Sequence, residues 1–224
     1  MKKFFAIVFL IGLSLSTFAQ EEKAVSDKKA SPELSALQTA ASLAKYGYEN
    51  YSATALIEAA KILSETKVQE LDAQVDAPAA ENVQEKDAKL NLDPKALLAD
   101  AKKFAGKDKV VLAYAKQVEK SVQSSSTRGA VGGPKIGEGR VYGKKTVDYT
   151  IKFWAGELAE VVVIGDGDND LDVYIYDQNG NLITSDTDYT DQCVCRWVPA
   201  WTGNFRIRIV NRGVVYSDYA IATN

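Results

Sequence analysis

This chain of 224 residues contains no histidine and only two cysteines. Without histidine, Ser-His-Asp and Cys-His nucleophilic sites are excluded, as is every metal site that needs an imidazole ligand. Positive charge is also in deficit, because the formal net charge is −3. A mildly acidic protein is a poor candidate for nonspecific nucleic-acid binding. We therefore expect no nucleic-acid partner.

The N-terminal segment has the features of a secretory signal peptide. Two lysines precede an apolar run over 4–15, and small residues at Thr17 and Ala19 match a cleavage site before Gln20. Residues 1–19 are therefore predicted to be removed on export, which would leave no membrane span in a periplasmic or extracellular protein. The charged segment 20–30 is predicted to be a flexible lead.

Composition changes abruptly near residue 125. Ala, Lys, Glu and Leu, which favour helices, dominate the earlier region, whereas Gly, Asp, Val, Tyr and Thr, which favour strands and turns, dominate the later one. The sequence therefore predicts an α+β protein made of two separate domains. A small all-α helical-hairpin unit occupies 31–122, and a β-sandwich occupies 140–224.

Helical periodicity and capping residues predict four helices in the first region. The predicted helices cover about 32–48, 53–66, 94–106 and 108–122. The sequence around Asn50 and Ser52 matches that around Asn91 and Asp93, which indicates a weakly repeated helical hairpin. Between the two copies, residues 72–89 are acidic and poor in large apolar side chains, so a loose, exposed loop is predicted there.

Serine and glycine dominate residues 123–139, which are predicted to be a linker. Beyond it, short alternating segments predict an antiparallel sandwich of about seven strands. The predicted strands cover 146–154, 159–164, 171–176, 182–185, 192–198, 204–211 and 214–222. Asn179-Gly180 predicts a type I′ hairpin turn.

Several segments of the second region resemble the bacterial pre-peptidase C-terminal domain. They are 147–153, 170–177 with 179–182, 199–209 and 219–221. The resemblance implies a jelly-roll-like β-sandwich. Members of this family usually follow a catalytic domain, whereas the partner here is a small helical unit without histidine, so the association with peptidases does not carry over. The helical unit resembles that of secreted Bacteroidetes proteins, which supports export.

An acidic loop precedes the strand predicted at 171–176. Asp166, Asp168 and Asp170 have the spacing of the first, third and fifth ligands of an EF-hand, although Leu171 replaces the glycine that an EF-hand requires. A sandwich-loop calcium site, with Asp188 as a further ligand, is one interpretation. A solvated acidic turn is the other.

Cys193 and Cys195 flank one residue of a predicted strand, so both thiols should lie on the same face. A strained disulfide, two reduced thiols and pairing between molecules are all compatible with this spacing. Catalysis is not expected, because no histidine is present to stabilise a thiolate.

Aromatic and arginine side chains mark a candidate ligand surface on the sandwich. The candidate residues are Tyr174, Tyr176, Trp201, Arg206 and Arg208. Such residues are typical of sugar-binding and protein-binding surfaces, but ordinary cross-strand pairing would also use them.

These observations favour an exported, non-enzymatic binding or accessory protein. Its expected partner is a periplasmic or extracellular protein or polysaccharide. Calcium is the one cofactor that the sequence suggests. The alternative is a small hydrolase that uses paired carboxylates, because this chemistry needs no histidine.

Overall fold

The computed structural model describes residues 23–25, 29–84, 90–125 and 133–224. The predicted signal peptide, 1–19, lies outside the described residues, as do parts of the predicted lead, loop and linker. No described helix is both long enough and apolar enough to cross a membrane.

The described residues form four helices and eleven strands. The helices are α1 (Pro32–Glu49), α2 (Ala53–Glu65), α3 (Pro94–Ala105) and α4 (Lys109–Ser125). The strands are β1 (Lys23–Ala24), β2 (Gln69–Glu70), β3 (Gln74–Asp76), β4 (Lys135–Val141), β5 (Thr146–Phe153), β6 (Ala159–Gly165), β7 (Leu171–Tyr176), β8 (Leu182–Asp186), β9 (Gln192–Val198), β10 (Gly203–Asn211) and β11 (Ser217–Thr223).

Capping side chains fix where α2 and α3 begin, whereas α1 begins differently. Ser52 accepts a hydrogen bond from the backbone N–H of Ala55 at the start of α2, and Asp93 accepts one from Lys95 at the start of α3. Ser31 occupies the cap position of α1, but its side chain makes no capping bond. Instead, its backbone N–H donates to Glu160 on β6, at 3.1 Å. The start of α1 is therefore anchored to the sandwich by a hydrogen bond to Glu160.

Two sheets pack face to face. One has the strand order β1-β9-β6-β11-β4-β2 and the other β3-β5-β10-β7-β8. The parallel β2–β4 contact is the exception among otherwise antiparallel pairs in the described chain. Apart from the β7–β8 hairpin, successive strands from β4 to β11 lie in different sheets, and their order is that of a jelly roll. The predicted β-sandwich is confirmed.

The four helices form a layer on the outer face of the sheet that contains β6, which we call the covered sheet, and α1 makes the main helical contact with β6. Leu34, Leu56 and Leu97 of the helices share one apolar core with Val162 and Ile164 of β6. The opposite side chains of β6 enter the core between the sheets, so every residue of this strand is buried. The other sheet, which we call the open sheet, has no described helix on its outer face.

The prediction of separate domains is not confirmed, and helices and sandwich share a continuous core. A buried ion pair adds to this contact: Arg196 donates to Glu160 at 2.8 Å, beneath the start of α1. Gln192 also donates a hydrogen bond to Ser42 of α1, at 3.1 Å.

Three predicted irregular segments contribute strands. The lead supplies β1, the loop over 72–89 supplies β3, and the linker over 123–139 supplies most of β4. In β4, glycine marks a close approach rather than a flexible linker. A Cβ atom at Gly139 would lie 2.6 Å from the hydroxyl of Tyr219 and 2.9 Å from that of Tyr149.

The turn between β7 and β8 is not of type I′. That type needs positive φ at both central residues, but only Gly180 has it, with φ of 86°. Asp177 organises the turn instead. Its carboxylate accepts hydrogen bonds from the backbone N–H groups of Asn179 and Asn181 and from the Asn181 side chain, each 2.8 Å long.

Candidate binding surfaces

The outer face of the open sheet carries four of the five predicted ligand-surface residues. Alternation along β7 and β10 buries Val173, Ile175 and Ile207 and turns the intervening side chains outward. The register pairs Arg206 with Tyr176 and Arg208 with Tyr174. These four side chains form what we call the open face.

Arginine and tyrosine side chains stack on one another across the open face. The guanidinium carbon of Arg206 lies 4.7 Å from the ring centroid of Tyr176, and that of Arg208 lies 5.9 Å from it. The rings of Tyr174 and Tyr176 are 6.4 Å apart and inclined by 22°. Cation–π contacts of this kind hold the side chains in fixed positions.

Carboxylates on the neighbouring strands fix two of the cations. Arg208 donates two hydrogen bonds to Asp148 of β5, at 2.8 and 2.6 Å. These bonds raise the pKa of Arg208 further. Arg212 donates to Asp172 at 2.6 Å and to the hydroxyl of Tyr174 at 2.8 Å. Burial, together with the bond to Asp172, raises the pKa of Tyr174.

Arg206 differs from these two arginines. It stacks on Tyr176, but no described carboxylate pairs with it, and its buried Nε has no hydrogen-bond partner among the described residues. Thr150 stands opposite it on β5. Arg206 is thus the cation of the open face that no described carboxylate neutralises.

Trp201 lies away from the open face. Its ring stacks on Phe205, with centroids 6.4 Å apart, and Phe205 is fully buried in the core between the sheets. Register explains the difference, because Phe205 and Arg206 are adjacent on β10 and point to opposite sides. Trp201 therefore packs at the end of the core between the sheets and does not lie on the open face.

The acidic loop connects β6 of the covered sheet to β7 of the open sheet. Asp166 accepts hydrogen bonds from the hydroxyl of Ser217 and the backbone N–H of Asp218, both at 2.9 Å. A Cβ atom at Gly167, whose φ is 94°, would lie 1.9 Å from the amine of Lys45 on α1. The loop is thus held between β11 and the helical layer.

The four predicted calcium ligands are not gathered around one point. Asp188 uses its carboxylate to accept hydrogen bonds from the backbone and hydroxyl of Thr190, at 3.0 and 2.6 Å. Asp168 is exposed, and Asp166 is engaged by β11. No described group of three or more acidic or cysteine side chains could hold a metal ion. Calcium binding at this loop stays a prediction.

Asp170 has an unusual environment. One of its carboxylate oxygens is buried and has no hydrogen-bond partner in the described chain. Burial raises the pKa of Asp170, and the charges of Asp172 and Asp188 act in the same direction, whereas Arg212 lowers it. Its backbone carbonyl accepts a hydrogen bond from Arg212 at 2.9 Å, which ties the loop to the end of β10.

Cys193 and Cys195 lie on the same face of β9, as predicted, and both are buried free thiols. The sulfur of Cys193 donates to the carbonyl of Leu171 at 3.0 Å. Burial raises the pKa of Cys193, so the thiol stays protonated and unreactive at neutral pH. Of the three states left open by the sequence, the structure has two reduced thiols.

Sequence reasoning missed a cleft of about 780 Å³ at the seam between the helical layer and the acidic loop. We call it the seam cleft. The residues that give it its character are Lys45, Tyr48, Tyr51, Asp100, Phe104 and Asp191. Tyrosines at 46, 48 and 51 are a signal that could have been noticed, because they concentrate aromatic side chains at one helix end. Only the tertiary fold brings these tyrosines next to the acidic loop.

Hydrogen bonds fix the aromatic wall of the seam cleft. The hydroxyl of Tyr48 donates to Asp100 at 3.1 Å and accepts from Asn91 at 2.9 Å. Burial and the bond to Asp100 raise the pKa of Tyr48 to about 12. Lys103 donates to Asp100 at 2.7 Å, and this bond lowers the pKa of that carboxylate. Tyr48 therefore stays neutral and Asp100 charged at neutral pH.

No protein-family model matches this chain, and no curated protein sequence matches it. The resemblance to the pre-peptidase C-terminal domain accordingly stays a prediction. The crystal structure of PliG from Aeromonas hydrophila, a periplasmic lysozyme inhibitor of g-type lysozyme, is similar over 41% of this chain and 84% of that one, with 17% identity and a TM-score of 0.32. A de novo designed double-stranded β-helix, solved by NMR, is similar over 40% of this chain and 99% of its own, with 13% identity and a TM-score of 0.28. Scores this low support no argument about function.

Proposed function

We propose that this protein is an exported, non-enzymatic binding protein that holds a partner protein on the open face of its sandwich. The observation that carries the proposal is the Tyr–Arg array of β7 and β10, which is oriented outward and left uncovered by the described helices. Tyrosine and arginine are the residues most often responsible for binding energy at protein interfaces.

The geometry favours a protein over a polysaccharide. Sugars bind by stacking on free aromatic faces, but guanidinium groups of the same chain already lie over the ring of Tyr176. Arg206 offers a charge that no described carboxylate neutralises. A partner with a carboxylate or backbone carbonyl at this point would supply the missing acceptor. The experiments below distinguish polysaccharide binding from protein binding.

Rigidity supports the same conclusion. Asp148 fixes Arg208, and Asp172 with Arg212 fixes Tyr174. Side chains that are held before binding lose little conformational entropy when a partner arrives. The cysteines and the acidic loop contribute to the fold in this proposal, and export follows from the signal peptide predicted at 1–19.

Site-specific photo-crosslinking in the producing cells tests the proposal. A photoreactive residue at Leu182, which pairs with Tyr176 and is 54% exposed, samples the open face. The same residue at Val110 on α4, 79% exposed, is the matched control. We expect a discrete protein adduct from Leu182 that disappears in Arg206→Ala and is absent from Val110. Equal adducts at both positions would contradict the proposal.

Two further outcomes separate the alternatives. Binding to an immobilised polysaccharide, lost in Tyr176→Ala and accompanied by no protein adduct, would assign the face to carbohydrate. A broad hydrolase screen addresses the enzymatic alternative. Turnover that Asp170→Asn abolishes and calcium chelation does not would replace the proposal of a non-enzymatic protein.

A further inference from the structure

The seam cleft is a concave surface that is separate from the open face and is formed by other elements. Side chains from α1, α3 and the end of β6 line it, whereas the open face is built from β7 and β10. A volume of about 780 Å³ lies within the range of small-molecule sites in proteins. Its chemistry can therefore be considered independently of the proposed function.

Three aromatic rings form a corner of the cleft. Phe104 of α3 contacts Tyr48 edge-on, with ring centroids 6.2 Å apart, and contacts Tyr51 at 5.3 Å. Tyr51 is 74% exposed, and its backbone has a φ of 52°, a conformation uncommon outside glycine. A strained junction between α1 and α2 thus places a large aromatic side chain where it is accessible to a ligand.

The charge of the cleft selects the ligand class. Among the described lining residues, the carboxylates are Glu49, Asp100, Asp166, Asp168 and Asp191, and the only cation is Lys45. The amine of Lys45 lies against Gly167 of the acidic loop. Even with Lys103 paired to Asp100, carboxylates remain in excess around the cleft.

The end of α1 adds to this negative potential. Tyr46 and Glu49 belong to the last turn of α1, which contains no basic residue. A helix C-terminus carries a partial negative charge that favours a nearby cation. Aromatic faces attract the same group through the ring quadrupole.

We propose that the seam cleft binds an organic ammonium cation, with the alkyl groups against Tyr51 and Phe104 and the charge toward Glu49. Rings stabilise a cation through their faces, and carboxylates do so through Coulomb attraction. An anionic ligand would meet an excess of carboxylates. A neutral apolar ligand would gain only the ring contacts. The arrangement therefore discriminates by charge as well as by shape.

Isothermal titration of the purified chain with three probes tests this assignment. Choline is the quaternary ammonium, cadaverine is the primary ammonium, and 3,3-dimethyl-1-butanol is a neutral analogue of choline with nearly the same shape. We expect saturable binding of at least one cation, and binding of the neutral analogue weaker by about tenfold or more. Comparable binding of the neutral analogue, or no saturable binding of either cation, would overturn the proposal.

Variants locate the binding at the cleft. Tyr51→Ala and Glu49→Gln should each weaken cation binding by about fivefold or more, because each removes one source of attraction. Tyr51→Phe keeps the ring and should bind within about twofold of wild type. Tyr189→Ala alters a tyrosine that is 96% exposed and outside the cleft, so it should bind like wild type. Unchanged binding in both Tyr51→Ala and Glu49→Gln would place the cation elsewhere and overturn the assignment.

Discussion

The outer faces of the two sheets differ in what covers them: helices pack on one, and no described helix packs on the other. The covered sheet presents Val162, Ile164 and Ala220 to the helices, and these side chains are fully buried. The open sheet presents tyrosine, arginine and aspartate to solvent at the equivalent positions. One face is used for stability and the other is available for recognition. The difference follows from side-chain chemistry, since an apolar face must be buried whereas a polar face can remain hydrated.

The largest expected effect comes from placing a charge on the covered face. Val162→Asp would bury a carboxylate beneath the helices without a partner, which should lower the free energy of unfolding by about 4 kcal/mol or abolish folding. Urea denaturation measures it. Thr150→Asp is the matched change on the open face and should cost less than about 1 kcal/mol. Similar losses for the two variants would show that the helices do not cover this sheet.

Removing the buried ion pair should have the next largest effect. Glu160→Ala takes the acceptor from both Arg196 and the backbone of Ser31, and it should cost about 3 kcal/mol. The double variant Glu160→Met with Arg196→Met removes both charges and should recover most of that loss. Glu138→Ala, an exposed carboxylate on β4, is the control. A double variant less stable than Glu160→Ala would show that the unpaired charge of Arg196 is not the cause of the loss.

The open sheet depends on its turns, so Asp177→Ala should cost about 2 kcal/mol at neutral pH. Burial alone would raise the pKa of Asp177, but hydrogen bonds from Asn181 and Asn179 lower it overall. A lowered folded-state pKa gives stability that is present above the unfolded value of about 3.9 and lost as pH falls through the folded value. The difference from wild type should therefore shrink below about pH 4. Denaturation at several pH values checks this, with Asp72→Ala as an exposed control. A difference that grows on acidification would contradict it.

Calcium should have the smallest effect on stability. Asp166 and Asp188 already accept hydrogen bonds from the protein, so an ion gains few free oxygens. Melting curves in calcium and in chelator should differ little. A bound ion at about a hundred times its Kd would add roughly 2.7 kcal/mol. A large rise in melting temperature that Asp168→Asn removes would establish the calcium site instead.

Local pattern was sufficient for most strands and all four helices. Alternation in Leu171–Tyr176 and Gln192–Val198 gave the observed limits of β7 and β9, because a half-buried strand repeats every two residues. It failed for β4, where Gly137 and Gly139 suggested a linker. Glycine is required at 139 because the hydroxyls of Tyr149 and Tyr219 occupy the space of a side chain. Tyr219 lies far along the chain, so no local pattern could reveal that requirement.

The candidate sites also include residues that local pattern places correctly and residues that it does not. Tyr174, Tyr176, Arg206 and Arg208 lie on one face of the sheet, because strand alternation determines which side chains share a face. Trp201 lies against the buried ring of Phe205 instead, since a turn residue has no such alternation. Ligand binding by these residues stays a prediction.

By itself, the sequence determined the helices, most strands and the side of the strand on which each of the four Tyr and Arg side chains lies, since these depend on neighbours within a few residues. Tertiary structure decided that the helices cover one sheet, that Glu160 receives the start of α1, and that Tyr51 faces the acidic loop across the seam cleft. Those contacts join segments that are far apart in the chain, such as Ser31 and Glu160. They arise only when the apolar stripe of the helices and the apolar outer face of β6 are removed from water together.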